Sequence, residues 1–326
     1  YMVPVTGAGP TCSLLGNALE RGYGITPITD HFGAVTSVEA VLADGSVYQS
    51  VLSTMGGEVV DRAFKWSIGP YIDGIFSQGS FGIVTKMTIS LAHRPESIES
   101  FLFGIKNPEL LLDLVRIIQK IITRYPGILG GINLMNAHRV LAMSTPYPRD
   151  KLGDNRIIPK EVLAELCENN NIMPWTGFGT LYGTKSVIKA VKQEIKAILN
   201  PVATQLIFVN ANRVAAFAKI LRILPGLIRR KYERKLAMLE QSMQLVSGFP
   251  NQTALPLCYW LSGGPGVAQT DFLDPARDQC GLIWYSPLIP MKPDSILQYI
   301  EMVTSITERH GQIGRASCRE RVSVLV

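Results

Sequence analysis

The feature that most limits how this chain can fold is a change of texture near Pro95. Before it, glycine-punctuated stretches alternate apolar and polar positions. Beyond it, apolar residues recur at helical spacing, in long runs separated by short β-like ones. Residues 35–50, "VTSVEAVLADGSVYQS", alternate on both sides of Asp44–Gly45. That dipeptide is a hairpin signal, since both of its residues tolerate positive φ. Residues 81–92, "FGIVTKMTISLA", alternate through Ile83, Thr85, Met87 and Ile89 and read as another strand.

Past Pro95, "SFLFGI" reads as a strand. "NPELLLDLVRIIQKIITRYPG" reads as a helix capped by Asn107, with Pro108 in its first position and a Pro126–Gly127 stop. The pattern continues with a strand near Ile132–Leu134, a helix over Glu161–Glu168, a strand near Gly177–Tyr182 and a helix over Lys185–Leu199. A strand at Gln205–Val209, two helices to about Val246, a strand at Leu282–Tyr285 and a helix over Asp294–His310 complete it. Such alternation builds a sheet with helices packed on it. The expectation is two domains, 1–95 and 96–311, joined near His93–Ser97.

The ends read differently. The chain opens at Tyr1 inside an apolar segment, and closes on "GQIGRASCRERVSVLV", where the helical pattern stops. That ending resembles translated adaptor sequence, so a fragment cut at both ends is expected, with residues 312–326 outside the fold. With 47% hydrophobic and 18% charged residues the composition is globular. The net charge of +6 is scattered or gathered in one helical region, which argues against a nucleic-acid partner. Cys12, Cys167, Cys258, Cys280 and Cys318 are an odd, dispersed set without metal-ligand spacing. Reduced thiols, a cytoplasmic setting and no metal are expected. No apolar run reaches the ~18–20 residues of a membrane span.

Two glycine-rich segments are the candidate sites. Gly7, Gly9, Gly16, Gly22 and Gly24 are too dense for a helix and too irregular for a strand. Either they form a surface loop, or they let a phosphate-bearing ligand approach main-chain N–H groups. They do not form a GxGxxG dinucleotide fingerprint. In "GPYIDGIFSQGSFGIVTK", residues 69–86, Gly74, Gly79 and Gly82 lead into the strand, either as a bulged turn or as backbone poised for a heterocycle. Asp30–His31 closes the first segment, and His31 is read as fixing the loop. His93, His138 and His310 stand alone and are assigned no role. Arg213–Lys235 is basic and amphipathic. It reads as a surface for a membrane or acidic partner, or as two helices with solvated Lys and Arg, the commoner arrangement.

Together, "LGNALERGYGITPITDHF", "VEAVLADGSVY" and "FKWSIGPYIDGIFSQGSFGIVTK", in this order, resemble the vanillyl-alcohol oxidase and 4-cresol methylhydroxylase family of flavoproteins. The resemblance runs through nearly all of residues 1–95 and is looser from 98 to 310. It implies an α+β fold: the second part of a two-subdomain, PCMH-type FAD-binding domain, then a cap domain with a mostly antiparallel sheet covered by helices. Gly7, Gly9, Gly16, Asn17, Gly22, Gly24, Gly82, Ile83 and Val84 are the implied cofactor residues, and Asp30 the candidate catalytic one. Two positions depart from the pattern. The aspartate expected before the first glycines is Val5 or Ala8, and the tyrosine expected after "RGxG" is Ile25. The resemblance thus implies hydride transfer to FAD from an alcohol or phenolic small molecule, with oxygen or another electron acceptor, and allows a homo-oligomer. A flavin-fold binding module without catalysis, or a membrane-peripheral redox subunit, is the alternative.

Overall fold

The computed structural model describes residues 1–4, 9–24, 26–66, 68–152, 157–261, 272–280, 288–310 and 317–319. The side chains of 227, 228, 230, 231, 234, 235 and 317–319 lie outside that description.

The first sheet has three antiparallel strands in the order β2-β1-β3, formed by β1 (Val35–Leu42), β2 (Val47–Gln49) and β3 (Gly82–Ile89). The expected hairpin is present, but the turn differs in type. Only Gly45 has positive φ, +82°. Gly45 N–H donates to Leu42 O (3.0 Å), and the Asp44 carboxylate accepts from Ser46 N–H (2.9 Å). Asp44 therefore serves as a side-chain acceptor and leaves the left-handed position to glycine alone. Short helices α1 (Leu14–Leu19), α2 (Val51–Thr54) and α3 (Glu58–Ala63) flank the sheet. Ala18 of α1 packs with Val35, Val38, Ala40 and Phe76 in a small core. The reading of the first glycines as incompatible with any helix is corrected here. Gly16 lies inside α1, whose start is capped by the Ser13 hydroxyl accepting from Gly16 N–H.

The second sheet, ordered β7-β4-β6-β5-β8, is antiparallel throughout. Its strands are β4 (Ser97–Ile105), β5 (Leu129–Asn136), β6 (Trp175–Gly183), β7 (Gln205–Val209) and the short β8 (Ser317–Arg319). The last belongs to the tail expected to lie outside the fold; the tail's other residues from 312 onward lie outside the described residues. α4 (Leu111–Arg124) buries Leu114, Val115, Ile118, Ile121 and Ile122, one helical stripe. α7 (Lys185–Leu199) buries Ile188, Val191, Ile195 and Leu199. Both stripes pack on Phe101, Phe103 and Leu181 of the sheet in the main core, to which α10 (Pro293–Arg309) adds Ile296. Gly177 and Gly179 of β6 sit opposite Phe103 and Phe101, whose rings fill the space where their side chains would be. The expected strand at Leu282–Tyr285 lies outside the described residues.

The other face of this sheet is covered by α8 (Ala211–Ile223) and α9 (Gly226–Val246). Val214, Met243 and Val246 pack there with Ile98, Leu102 and Phe178, and Tyr182 Oη donates to Val246 O at 2.8 Å. α5 (Ala137–Ser144) and α6 (Lys160–Asn170) form a satellite cluster with Ile158, Leu257 and Trp260. The stretch before β4 reaches back to the chain start, where Met2 and Ala92 exchange backbone hydrogen bonds of 2.8 and 3.2 Å.

Candidate cofactor site

The two glycine segments meet. Arg21 Nε donates to Ser77 Oγ (3.0 Å), and Gln78 N–H donates to Leu19 O (2.9 Å). Arg21 and Gln78 both have positive φ, +52° and +50°, a strained choice for side-chain-bearing residues that marks a tightly determined junction. Gly82 follows four residues later at the start of β3. A Cβ there would lie 2.8 Å from Val41 O, so glycine is required by close strand approach. β3 is an edge strand. Alternate backbone groups of such a strand point away from its single neighbour. Ile83 is exposed, and Val84 packs against the small core.

Within the first segment, residues 22–24 and 26–31 lie in a narrow loop. Gly24 N–H donates to Thr29 O (2.8 Å), His31 N–H donates to Gly22 O (3.1 Å), and Tyr23 and Asp30 form a bridge. His31 is buried and its Nδ1 hydrogen-bonds Asn17 Oδ1. The Asn17 carboxamide occupies the space a Cβ on Gly22 would need. Gly9, at φ +102°, faces Leu255 of the second half, whose Cδ1 lies 3.0 Å from a Cβ built there.

These contacts change what the glycines can do. The N–H groups of Gly16, Gly22 and Gly24 donate to Ser13 Oγ, Asn17 O and Thr29 O. Their contribution to a ligand is therefore close main-chain approach rather than hydrogen-bond donation. The Asp30 carboxylate accepts from Gly33 N–H at 2.9 Å, capping the turn that carries His31. Gly7, Val5, Ala8 and Ile25 lie outside the described residues.

Sequence reasoning passed over the polar groups behind the second segment. Asp73 is buried and accepts from Tyr48 Oη and Ser50 Oγ, each at 2.6 Å. Burial raises its pKa, which those hydroxyls partly offset and the nearby Asp61 reinforces. Asp61, also buried, accepts from Ser53 Oγ at 2.5 Å. Tyr71 stands beside Phe32 and Trp66, with ring centroids 6.4 and 5.8 Å away. Its hydroxyl is buried without a hydrogen-bond partner among the described residues. Burial, with Asp73 and Asp61, pushes its pKa up to about 12, so it stays a hydroxyl able to donate. Neither acid advertises its burial in "VVDRAF" or "YIDGIF"; only the aromatic run around Trp66 and Tyr71 was a legible signal. A polar cleft of about 260 Å³ between α3 and the sheet is lined by Glu39, Glu58, Asp61, Arg62 and Lys86, and by none of the loop glycines.

A dinucleotide cofactor fits this arrangement in three respects: close-approach glycines on one loop, a strand edge unpaired among the described residues, and a buried donor at Tyr71 with no partner among them. No group of three or more His, Cys, Asp or Glu among the described residues is placed to hold a metal ion.

No protein-family model matches the chain. It is 31% identical over 294 residues to 1′-carboxy-chondrochloren decarboxylase of Chondromyces crocatus, covering 89% of this chain and 52% of that protein. It is 22% identical over 317 residues to the flavoprotein subunit of 4-cresol dehydrogenase (hydroxylating) of Pseudomonas putida, covering 95% and 52%. The chain thus spans about half the length of these curated relatives. Substrate-bound p-cresol methylhydroxylase superposes over 98% of this chain and 55% of its own, with TM-score 0.77 and 18% identity. The isoeugenol complex of 4-ethylphenol oxidase from Gulosibacter chungangensis gives the same coverage and TM-score at 21% identity. These likenesses define the class first: an α+β protein of the PCMH-type flavoprotein fold. By sequence the chain is related to the chondrochloren decarboxylase and to the 4-cresol dehydrogenase flavoprotein subunit, and it shares its fold with p-cresol methylhydroxylase and 4-ethylphenol oxidase.

Proposed function

We propose that the chain forms part of an FAD-dependent oxidoreductase. An alcohol or phenolic-type substrate gives a hydride to the flavin, and oxygen or another acceptor takes the electrons onward. The observation that carries this reading is the junction of the two glycine segments through Arg21–Ser77 and Leu19–Gln78, which sets a close-approach loop beside a strand edge unpaired among the described residues. FAD, when bound, supplies the electron-accepting ring.

The chain's own residues hold and shape. Gly9, Gly16, Asn17, Gly22 and Gly24 give the loop its approach to the cofactor, and the Gly82–Val84 edge offers it backbone groups. Tyr71 Oη, protonated at neutral pH, is a donor facing inward. Asp30 holds the turn beneath His31 and adds negative charge near the loop. Anaerobic mixing of the FAD-loaded protein with a panel of alcohols, phenols and hydroxy acids tests the reading. Bleaching of the flavin by at least one class is expected; a bound flavin that none of them reduces contradicts it.

That second outcome would fit the alternative, a flavin-fold binding module or redox subunit without catalysis. The internal use of the Gly16, Gly22 and Gly24 N–H groups, and of the Asp30 carboxylate, favours it over a fully armed site.

A further inference from the structure

The basic stretch singled out in the sequence folds into α8 and the start of α9. Residues 213–235 hold eight Lys and Arg against one Glu, a surplus of seven positive charges in a chain whose whole net charge is +6. The remainder of the chain therefore carries no positive excess, and the basicity belongs to this helix pair.

The pair is anchored on its inner side. Val214 and Leu221 of α8 are buried, and Phe217 meets Tyr232 of α9 edge to face, ring centroids 6.4 Å apart. The outer side is different. Ala216, Lys219, Ile220 and Ile223 stand at positions i, i+3, i+4 and i+7 of the helix, and all four are exposed. Ile220 is 53% and Ile223 83% accessible. Single exposed apolar residues are ordinary on protein surfaces. Here two isoleucines share one helix face, at the tip where α8 turns into α9 through Pro225, bracketed by exposed Lys219 and Arg222. Neither cation has an ion-pair partner among the described residues, whereas Arg229 is paired with Glu233 at 2.9 Å.

We propose that this helix pair docks on an anionic lipid surface, with Ile220 and Ile223 entering the headgroup boundary and Lys219 and Arg222 engaging lipid phosphates and carboxylates. Charge complementarity selects an acidic partner. The isoleucines favour a membrane, whose headgroup boundary accepts apolar side chains from an amphipathic helix face. No described helix is long and apolar enough to cross a membrane, so the contact is a surface one. The proposal does not depend on the flavin reading.

Co-sedimentation of the full chain with phosphatidylserine-containing vesicles, against pure phosphatidylcholine vesicles at low salt, tests it. Binding about tenfold or more in favour of the anionic vesicles is expected, weakening as salt is raised. Lys219→Glu with Arg222→Glu should abolish the preference. Ile220→Ser with Ile223→Ser should lower binding several-fold while the surface charge stays intact. All four positions are exposed, and an unchanged circular dichroism melt confirms that each variant folds. Equal affinity for both vesicle types, binding to neither, or full binding by the double serine variant would overturn the proposal. So would tighter binding to a duplex DNA fragment than to the anionic vesicles.

Discussion

His31 and Asn17, fourteen positions apart, are joined side chain to side chain, Nδ1 to Oδ1, inside the first glycine loop. The carboxamide so held lies over the main chain of Gly22. One buried imidazole thus sets a side-chain position, and that position dictates glycine five residues further on.

Gly22→Ala is expected to force Asn17 off His31 and to destabilise the protein by about 1–3 kcal/mol, the usual cost of inserting a methyl into filled space. Adding Asn17→Ala should recover part of that loss. Urea denaturation of the two variants measures it; a double variant no more stable than Gly22→Ala would show that the clash lies elsewhere.

The cross-strand pair Gly179–Phe101 invites the same experiment in the second sheet. The ring fills the glycine's side of the pleat, and Phe101 is fully buried. Gly179→Ala should therefore cost at least about 2 kcal/mol, and Phe101→Leu in the same chain should relieve some of it. A melting temperature unmoved by Gly179→Ala would contradict this packing.

Asp73 links stability to pH with a definite sign. Its folded pKa is raised above the ordinary 3.8, chiefly by burial. Its contribution is therefore complete below 3.8 and is lost as pH rises through the folded value. Relative to the wild type, Asp73→Asn should gain stability as pH climbs above 3.8, since the amide carries no charge to desolvate. Asp73→Ala strands the Tyr48 and Ser50 hydroxyls and should lose about 2–3 kcal/mol. Denaturation curves across pH separate the two; a pH-independent difference between wild type and Asp73→Asn would contradict the assignment.

His138 works in the opposite direction. Burial lowers its pKa below the ordinary 6.5, against a raising influence from Glu308. The stability tied to its neutral form is present above pH 6.5 and drains away as pH falls through the folded value. His138→Gln should flatten that acid limb, which a set of melts between neutral and mildly acidic pH would reveal.

Much of this fold could be read from residues alone. α4 and α7 declared themselves through their apolar stripes; Asn107, accepting from Glu109 N–H at 3.0 Å, caps a 3₁₀ turn over Pro108–Leu110 that leads into α4, and Thr184 caps α7 by accepting from Val187 N–H. The Asp44–Gly45 hairpin was legible because period-two alternation flanks a strong turn dipeptide, even though its turn uses one positive φ rather than two. α1 was missed because glycine at position 16 lowers helix propensity; the Ser13 cap and the Asn17–His31 contact hold it all the same. α5 was missed because eight residues give too short a period to detect, and its one signal was the cap Asn136, which accepts from Arg139 N–H at 3.0 Å. At the candidate site the glycines were legible, and the use of their N–H groups was not. Hydrogen bonds such as Gly24 to Thr29 depend on where the loop folds back, and so do the burial of Asp61 and Asp73 and the open hydroxyl of Tyr71.

The flavin cradle proposed for the coupled glycine segments stands on whether they take up FAD. The most direct measurement is an FAD titration of the purified protein, followed by the flavin's visible absorption and fluorescence, with Gly22→Ala alongside. The expected result is saturable binding by the wild type that weakens at least about tenfold in Gly22→Ala, because the displaced Asn17 carboxamide distorts the approach to the cofactor. A wild-type protein that stays colourless with excess FAD, or a Gly22→Ala variant that binds it equally well, would contradict the claim.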